Sequence, residues 1–237
     1  MTEAWYEGPL VGFDLETTGV DPFSDHIIQI GIDFSTVRDG VQGFERLVNP
    51  GVPITNSDIH GITDEMVAGA MPEERGITEL AMYLREIVEA KTPIVIFNAQ
   101  FDWTFLRAKM EQFGLDWDLD DARLIDPLIC DRHFDKYRKG RGMRKQGKVA
   151  GIYGLPENLE AHTARADAAE CVAIARAMAR KYPAMQTGSG MDQELWARRQ
   201  QFELQRYFDG SGRKDEATGE RIVIETGWPL RDHEGWK

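Results

Sequence analysis

Residues 13–19, Phe13-Asp14-Leu15-Glu16-Thr17-Thr18-Gly19, are the stretch that decides the fold. The apolar run from Leu10 to Leu15 predicts a buried strand that ends in acidic residues and a Thr-Thr-Gly turn. Asp14 and Glu16 are two positions apart, so their side chains leave the same face of this strand. Because the carboxyl end of a buried strand is a common location for chemistry in α/β proteins, we expect a functional site there.

Two later segments carry acidic residues in comparable settings. Asn98-Ala99-Gln100-Phe101-Asp102 follows the apolar run 93–97, which predicts a short central strand buried on both faces. Asp102 would then lie at the start of the next helix. His162-Thr163-Ala164-Arg165-Ala166-Asp167 leads into an Ala-rich helix that we expect over 163–181. The three segments together predict that the carboxylates of Asp14, Glu16, Asp102 and Asp167 converge.

Such a convergence requires protons or cations. Each pair of carboxylates about 5 Å apart costs roughly 3 kcal/mol at an effective dielectric of about 20. Six pairs would cost roughly 20 kcal/mol, which exceeds the whole stability of about 5–15 kcal/mol of a typical domain. Oxygen-only ligands favour Mg²⁺ or Mn²⁺ over zinc, and two such ions can hold a phosphodiester and activate a water for attack. A histidine with a near-neutral pKa, here His162, suits the role of base for that water.

Each motif also has an ordinary structural explanation. An Asp-x-Glu pair often lies on a solvated strand edge, an Asp at a helix start favours the helix dipole, and a His there is commonly a surface residue. The combination of the three motifs, in this order, favours the metal-site interpretation.

The remaining patterns indicate an α/β protein with a central mixed five-stranded sheet flanked by helices. Alternating residues over 26–34 and the segment 43–48 complete an antiparallel meander with the first strand. Helical spacing of apolar residues predicts helices over 78–90, 100–113 and 122–134. Strands followed by alternating helices and strands are typical of a mixed sheet with helical layers.

The chain of 237 residues is long enough for one sizeable domain with an appendage. We expect the domain over 1–185 and a C-terminal extension over 186–237, an amphipathic helix plus tail that packs on the domain. No apolar run approaches the ~20 residues that span a bilayer, and the N-terminus lacks a secretory signal pattern. Cys130 and Cys171 are far apart in the sequence and lack the spacing of metal ligands, so we expect two free thiols. A cytoplasmic location without membrane contact is therefore predicted.

The net charge of −12 is unevenly distributed. Residues 131–148 carry eight basic and two acidic side chains, so this segment has a charge of +6 and the rest of the chain −18. We expect residues 136–151 to form an exposed loop. Its charge either guides a phosphate backbone, since local patches act within a Debye length of about 8 Å, or merely offsets an acidic protein. The sequence leaves both interpretations open.

The motifs FDLETTG, FNAQFDWTFL and HTARADAAE resemble those of the DEDDh exonuclease superfamily, which includes the proofreading epsilon subunit of bacterial replicative DNA polymerase. The similarity covers roughly residues 8–182. Phe97 stands where many members have a histidine. The resemblance implies a ribonuclease H-like fold and 3′→5′ removal of nucleoside monophosphates from single-stranded DNA ends, in proofreading or alone.

The resemblance also implies residue roles. Asp14 would bridge two divalent cations, Glu16 and Asp167 would complete one site, and Asp102 would hold the second cation partly through water. His162 would deprotonate the attacking water. Contacts with the 3′-terminal nucleotide are expected from Leu15, Thr17, Thr18, His60, Asn98 and Phe101.

Two other functions stay open at this point. The first is an exonuclease that prefers RNA ends or oligoribonucleotides, since discrimination depends on how the site treats a 2′-hydroxyl. The second is a non-catalytic module that associates with a polymerase. Partners would be nucleic acid with a free 3′ end, with DNA favoured over RNA, and a DNA polymerase.

Overall fold

A computed structural model of the protein describes residues 4–38, 41–158, 163–186, 192–234 and 236. In these residues the chain forms one mixed sheet flanked by helices, which confirms the predicted fold class. The strands are β1 (Val11–Thr17), β2 (Ile27–Arg38), β3 (Val41–Asn49), β4 (Met71–Pro72), β5 (Ile94–Val95) and β6 (Leu124–Ile125). The helices are α1 (Ser57–His60), α2 (Asp64–Val67), α3 (Glu73–Glu89), α4 (Ala99–Gln112), α5 (Pro127–Phe134), α6 (Gln146–Ile152), α7 (Ala164–Lys181), α8 (Pro183–Gln186) and α9 (Gln193–Ser211).

The strand order β4-β3-β2-β1-β5-β6 places β1 inside the sheet. On one side β1, β2 and β3 form the predicted antiparallel meander, in which Asp14 lies opposite Gly31. On the other side β5 and β6 run parallel to β1. Because parallel strands end at the same edge, the end of β1 and the segment that follows β5 come together there.

The two faces of β1 are covered differently. Val11, Phe13 and Leu15 belong to the main apolar core, which also contains residues of α3 and α4. Gly12 faces α7 so closely that a Cβ atom at this position would overlap the backbone carbonyl of Ala168. Asp14 and Glu16 share the Gly12 face, since side chains alternate along a strand. The sequence of β1 therefore directs its acidic residues toward α7.

The expected helix over 122–134 is wrong in its first part. Leu124 and Ile125 instead form β6, and α5 begins at Pro127. With the short β4, which was also not predicted, the sheet has six strands rather than five. Asp126 ends the strand and caps α5, because its side chain accepts hydrogen bonds from the backbone N–H groups of Leu128 and Ile129. Proline at the first helical position fits a helix start.

The expected exposed loop over 136–151 also needs correction. Residues Gln146–Ile152 form α6, and two arginines of the segment pair with a buried carboxylate. Asp131 is fully buried and pairs with both Arg138 and Arg144, while the Tyr153 hydroxyl donates to it over 3.0 Å. These bonds tie the segment to α5.

The chain after residue 191 contacts the rest of the protein through α9. The Gln193 side chain accepts from the Asp126 N–H over 2.7 Å and donates to the Leu124 carbonyl over 2.9 Å. Trp196 is buried and stacks on His133, with ring centroids 3.9 Å apart. Residues 187–190, Thr-Gly-Ser-Gly, have a composition typical of a linker and lie outside the described residues. None of the helices in the described part of the chain is long and apolar enough to cross a membrane.

Candidate active site

The N-terminus of α7 is held against β2. Thr163 caps the helix through its side chain, and the Ala164 N–H donates to the Gln29 side chain over 2.9 Å. Gly31 of β2 allows the helix to approach the strand closely, because a Cβ atom at this position would overlap the backbone of Ala164 and Arg165. This contact brings Asp167, in the first turn of α7, to the acidic face of β1.

Asp14, Glu16 and Asp167 form a cluster that could hold a metal ion. Each offers one carboxylate oxygen, and these oxygens lie within 4.8 Å of one another. The donor set consists only of oxygen, which suits Mg²⁺ or Mn²⁺. The sequence prediction that these three residues converge agrees with their placement.

The electrostatics of the cluster also fit a cation. Burial raises the pKa of Asp14 well above its ordinary value, and the neighbouring Asp102, Glu16 and Asp167 raise it further. Burial, together with Asp167 and Glu45, raises the pKa of Glu16 to about 7. Both shifts mean that negative charge is unfavourable here without a compensating positive charge.

Asp102 is positioned by the backbone of β1. It is buried in the first turn of α4, and its Oδ1 accepts a hydrogen bond from the Leu15 N–H over 3.0 Å. Burial raises the pKa of Asp102 well above its ordinary value, although the Leu15 bond acts in the opposite direction. Asp102 is not among the three clustered carboxylates, but its charge acts on Asp14.

Asp126, which we did not predict as a site residue, shapes the turn before Asp102. Asn98 has a left-handed backbone with φ of 67°, and its N–H donates to Asp126 Oδ1 over 3.1 Å. The Ala99 N–H donates to Oδ2 of the same carboxylate over 2.9 Å. Asp126 thus stabilises the starts of α4 and α5 together. An Asp-Pro pair before an apolar run is a helix-start signal that could have revealed this cap.

An open cavity of about 430 Å³ contains all four predicted carboxylates. Three predicted substrate contacts, Leu15, Asn98 and Phe101, also line it. A larger cavity of about 700 Å³, beside α7 and β3, contains none of these seven residues. The lining of the smaller cavity is Asp14, Leu15, Glu16, Phe97, Asn98, Phe101, Asp102, Leu128, Arg132, Arg144, Gln146 and Asp167.

Three polar residues of this lining were not predicted as site residues. Gln146 donates to the Asp167 carbonyl over 2.7 Å. Arg144 is held by Asp131, whereas Arg132 has no hydrogen-bond or ion-pair partner among the described residues. Burial lowers the pKa of Arg132, while nearby Asp126 raises it. No sequence signal distinguished these residues from other basic and polar ones of the segment.

The other predicted substrate contacts lie outside the lining of this cavity. Thr17 donates to the Gly19 carbonyl over 2.6 Å, and the Thr18 hydroxyl accepts from the His26 N–H over 2.9 Å. His60 is buried, and its Nδ1 accepts from the Ile62 N–H over 3.1 Å. Their roles stay predictions. His162 lies outside the described residues.

The RNase_T family, described as "Exonuclease", matches residues 11–175 of the chain. Relatives include the PolC-type DNA polymerase III of Caldanaerobacter subterraneus subsp. tengcongensis, 33% identical over 134 residues, and that of Thermotoga petrophila, 37% identical over 133 residues. These alignments cover 56% and 54% of this chain but only 9% of each polymerase.

Solved structures share the fold at low sequence identity. Escherichia coli Exonuclease I in complex with a dT13 oligonucleotide has a TM-score of 0.59 and 19% identity, covering 75% of this chain and 42% of that one. The nuclease domain of 3′hExo, a DEDDh family member bound to rAMP, has a TM-score of 0.59 and 17% identity, covering 76% and 94%. The expected ribonuclease H-like exonuclease fold is confirmed.

Proposed function

Since the chain belongs to the RNase_T exonuclease family, we propose that it removes nucleoside monophosphates from the 3′ ends of single-stranded or frayed DNA. The observation that carries this proposal is the cluster of Asp14, Glu16 and Asp167 oxygens within 4.8 Å of one another. A cluster of this kind, open to a cavity, fits hydrolysis of a phosphodiester assisted by divalent cations.

Two divalent cations, Mg²⁺ or Mn²⁺, are the proposed cofactors. Asp14, Glu16 and Asp167 would hold one, and Asp14 together with Asp102 would hold the other. The bound ions would supply Lewis-acid stabilisation of the scissile phosphate and of the leaving 3′ oxygen. The protein's own contribution is positional: the Leu15 N–H fixes the Asp102 carboxylate, and the α7 contact with β2 fixes Asp167.

The proposed site for the terminal nucleotide is the same cavity. Leu15 and Phe101 offer apolar surface beside the carboxylates, and Asn98 offers an amide at a strained turn that Asp126 holds in place. The other proposed contacts with the terminal nucleotide are Thr17, Thr18 and His60, which lie outside the lining of the cavity. Thr17 directly follows the cavity residue Glu16 in β1, and the Asn56 amide donates to the Thr17 carbonyl over 3.0 Å.

DNA is the preferred substrate in this proposal, and RNA is the alternative. The PolC-type relatives are DNA polymerases, which favours DNA and suggests proofreading beside a polymerase, whereas 3′hExo was bound to rAMP. The test compares labelled DNA and RNA strands of one sequence, and DNA with paired or mismatched 3′ ends. We expect Mg²⁺-dependent shortening from the 3′ end, fastest on single-stranded and mismatched DNA, and none in EDTA.

A large preference for RNA would replace DNA with RNA as the substrate. Hydrolysis of no strand with either cation would favour the remaining alternative, a non-catalytic module that binds a polymerase. The intact set of Asp14, Glu16, Asp102 and Asp167 argues against that alternative.

His162 is the proposed base for the attacking water. Replacing it with alanine should slow hydrolysis by about 10²–10⁴-fold, the usual contribution of general base catalysis, and flatten the dependence of rate on pH. Binding of Mn²⁺ should persist, because the carboxylates are unchanged. His233→Ala removes an exposed histidine and serves as the control. An unchanged rate in His162→Ala would remove His162 from this role.

The proposed domain division follows the family match. We propose an exonuclease domain over 1–185 and an extension over 186–237 that packs on it. The side-chain hydrogen bonds of Gln193 with Leu124 of β6 and with Asp126, together with the buried Trp196, support this packing. A cytoplasmic location stays a prediction.

A further inference from the structure

The basic segment between α5 and α6 contains cations of two kinds. Arg138 is only 8% exposed and lies 2.8 Å from Asp131 and 2.7 Å from Asp135. Arg144 pairs with the same buried Asp131 and donates to the Asp135 carbonyl over 2.6 Å. These two arginines are neutralised internally, so their role is to hold the segment on α5.

The other cations of the segment face solvent. Lys139, Arg141, Lys145 and Lys148 are exposed, and we call them the basic patch. None of the four has an ion-pair or hydrogen-bond partner among the side chains of the described residues. Lys136 is different, because its Nζ lies 3.1 Å from Glu203. In the part of the chain that the structure describes, no carboxylate pairs with the cations of the patch, although the protein has a net charge of −12.

The basic patch is continuous with the candidate active site. Lys145 lies between Arg144 and Gln146, and both neighbours line the cavity of the carboxylates. Gln146 fixes this arrangement because its amide donates to the Asp167 carbonyl over 2.7 Å. Inside the cavity, Arg132 adds a further cation, which has no ion-pair or hydrogen-bond partner among the described residues. Positive charge thus extends from the cavity outward along one segment.

We propose that the basic patch binds the sugar–phosphate backbone of the substrate strand, on the 5′ side of the nucleotide in the cavity. The assignment to the 5′ side rests on the proposed exonuclease function, which places the 3′-terminal nucleotide in the cavity. Charge complementarity supports a polyanion, and continuity with the cavity supports the same strand whose end is hydrolysed. Local attraction is needed here, since the acidic remainder of the chain repels nucleic acid.

The test measures binding in EDTA, where hydrolysis does not interfere. The patch variant carries Lys139→Gln, Arg141→Gln and Lys145→Gln, and it spares α6. We expect its dissociation constant for fluorescent dT20 to rise about tenfold at 50 mM salt, because phosphate contacts dominate such binding. The slope of log affinity against log salt should fall by about 2, as expected for three lost contacts to a single strand. Binding of dT4 should weaken much less.

The control variant loses three other exposed cations, through Lys91→Gln, Arg123→Gln and Arg180→Gln. Lys91 and Arg123 precede β5 and β6, at the opposite ends of these strands from the cavity, and Arg180 lies about 20 Å along α7 from Asp167. The control should bind dT20 within about twofold of the wild type. Salt screens exposed charges that lie more than a Debye length from the bound strand, so the change in net charge alone has little effect on affinity.

Three results would overturn the inference: equal losses in the patch and control variants, equal losses for dT4 and dT20, or competition by poly-glutamate as strong as by dT20. Failure of the proposed function looks different. In that case the wild type would bind dT20 through the patch but would shorten no strand when Mg²⁺ or Mn²⁺ is added.

Discussion

Asp14→Asn is expected to reduce hydrolysis by about a thousandfold or more, because several kcal/mol of metal-dependent stabilisation of the transition state would be lost. Asp14 interacts electrostatically with the other three carboxylates of the site, since Asp102, Glu16 and Asp167 raise its pKa in addition to burial. Asparagine preserves the shape of the side chain and removes its negative charge. The measurement is the rate of 3′-end shortening of single-stranded DNA at saturating Mg²⁺.

Thermal unfolding separates loss of chemistry from loss of fold. The pKa of Asp14 is raised in the folded protein, so its protonated form favours the folded state and the metal-free protein loses stability as pH rises above the ordinary carboxyl range. Asparagine cannot ionise, so metal-free Asp14→Asn should be at least as stable as the wild type at pH 8. Addition of Mn²⁺ should raise the melting temperature of the wild type much more than that of the variant.

Asp33→Asn provides the matched control. Asp33 also lies on the face of the sheet that α7 covers, but it pairs with Arg165 over 3.6 Å and does not line the cavity of the carboxylates. Its replacement should leave the rate within a few-fold of the wild type. Full activity in Asp14→Asn, or an equal loss in Asp33→Asn, would refute the assignment of the site.

The sequence predicted the features that depend on short local patterns. Alternation along β1 separated Phe13 and Leu15 from Asp14 and Glu16, and the structure buries the former in the core and turns the latter toward α7. Asp102 and Asp167 were assigned to helix starts, where they lie. Local periodicity is sufficient in these cases because one buried face determines the orientation of the whole element.

Features that depend on tertiary contacts were missed. Leu124 and Ile125 form a strand only because β5 offers them an edge, and their apolar character alone equally suits a helix. The internal role of Arg138 and Arg144 depends on the burial of Asp131, which their spacing in a charged, glycine-rich segment does not reveal. The same limit applies to Asp126, whose partners Asn98 and Ala99 lie on another element.

The close approach of α7 to the sheet is another such feature, and it leads to the second large effect. Gly31 lies opposite Asp14 in the β1–β2 pair, beneath the N-terminus of α7. A methyl group at this position would overlap the backbone of Ala164 and Arg165, which cannot rotate away as a flexible side chain could. Gly31→Ala must therefore push α7 outward and carry Asp167 away from Asp14.

Gly31→Ala is expected to destabilise the protein by about 3 kcal/mol or more, at the upper end of what overpacking of a core usually costs. For a chain of this size the melting temperature should fall by roughly 10 °C. The matched control is Gly151→Ala in α6, where an added Cβ meets nothing within 4 Å and alanine is the better helix former, so stability should hold or rise slightly. Folded Gly31→Ala protein, isolated at low temperature, should also bind Mn²⁺ more weakly than Gly151→Ala does, since one of the three clustered carboxylates has been displaced. Wild-type stability and metal affinity in Gly31→Ala would mean that α7 does not rest on this glycine and that Asp167 reaches the site in some other way.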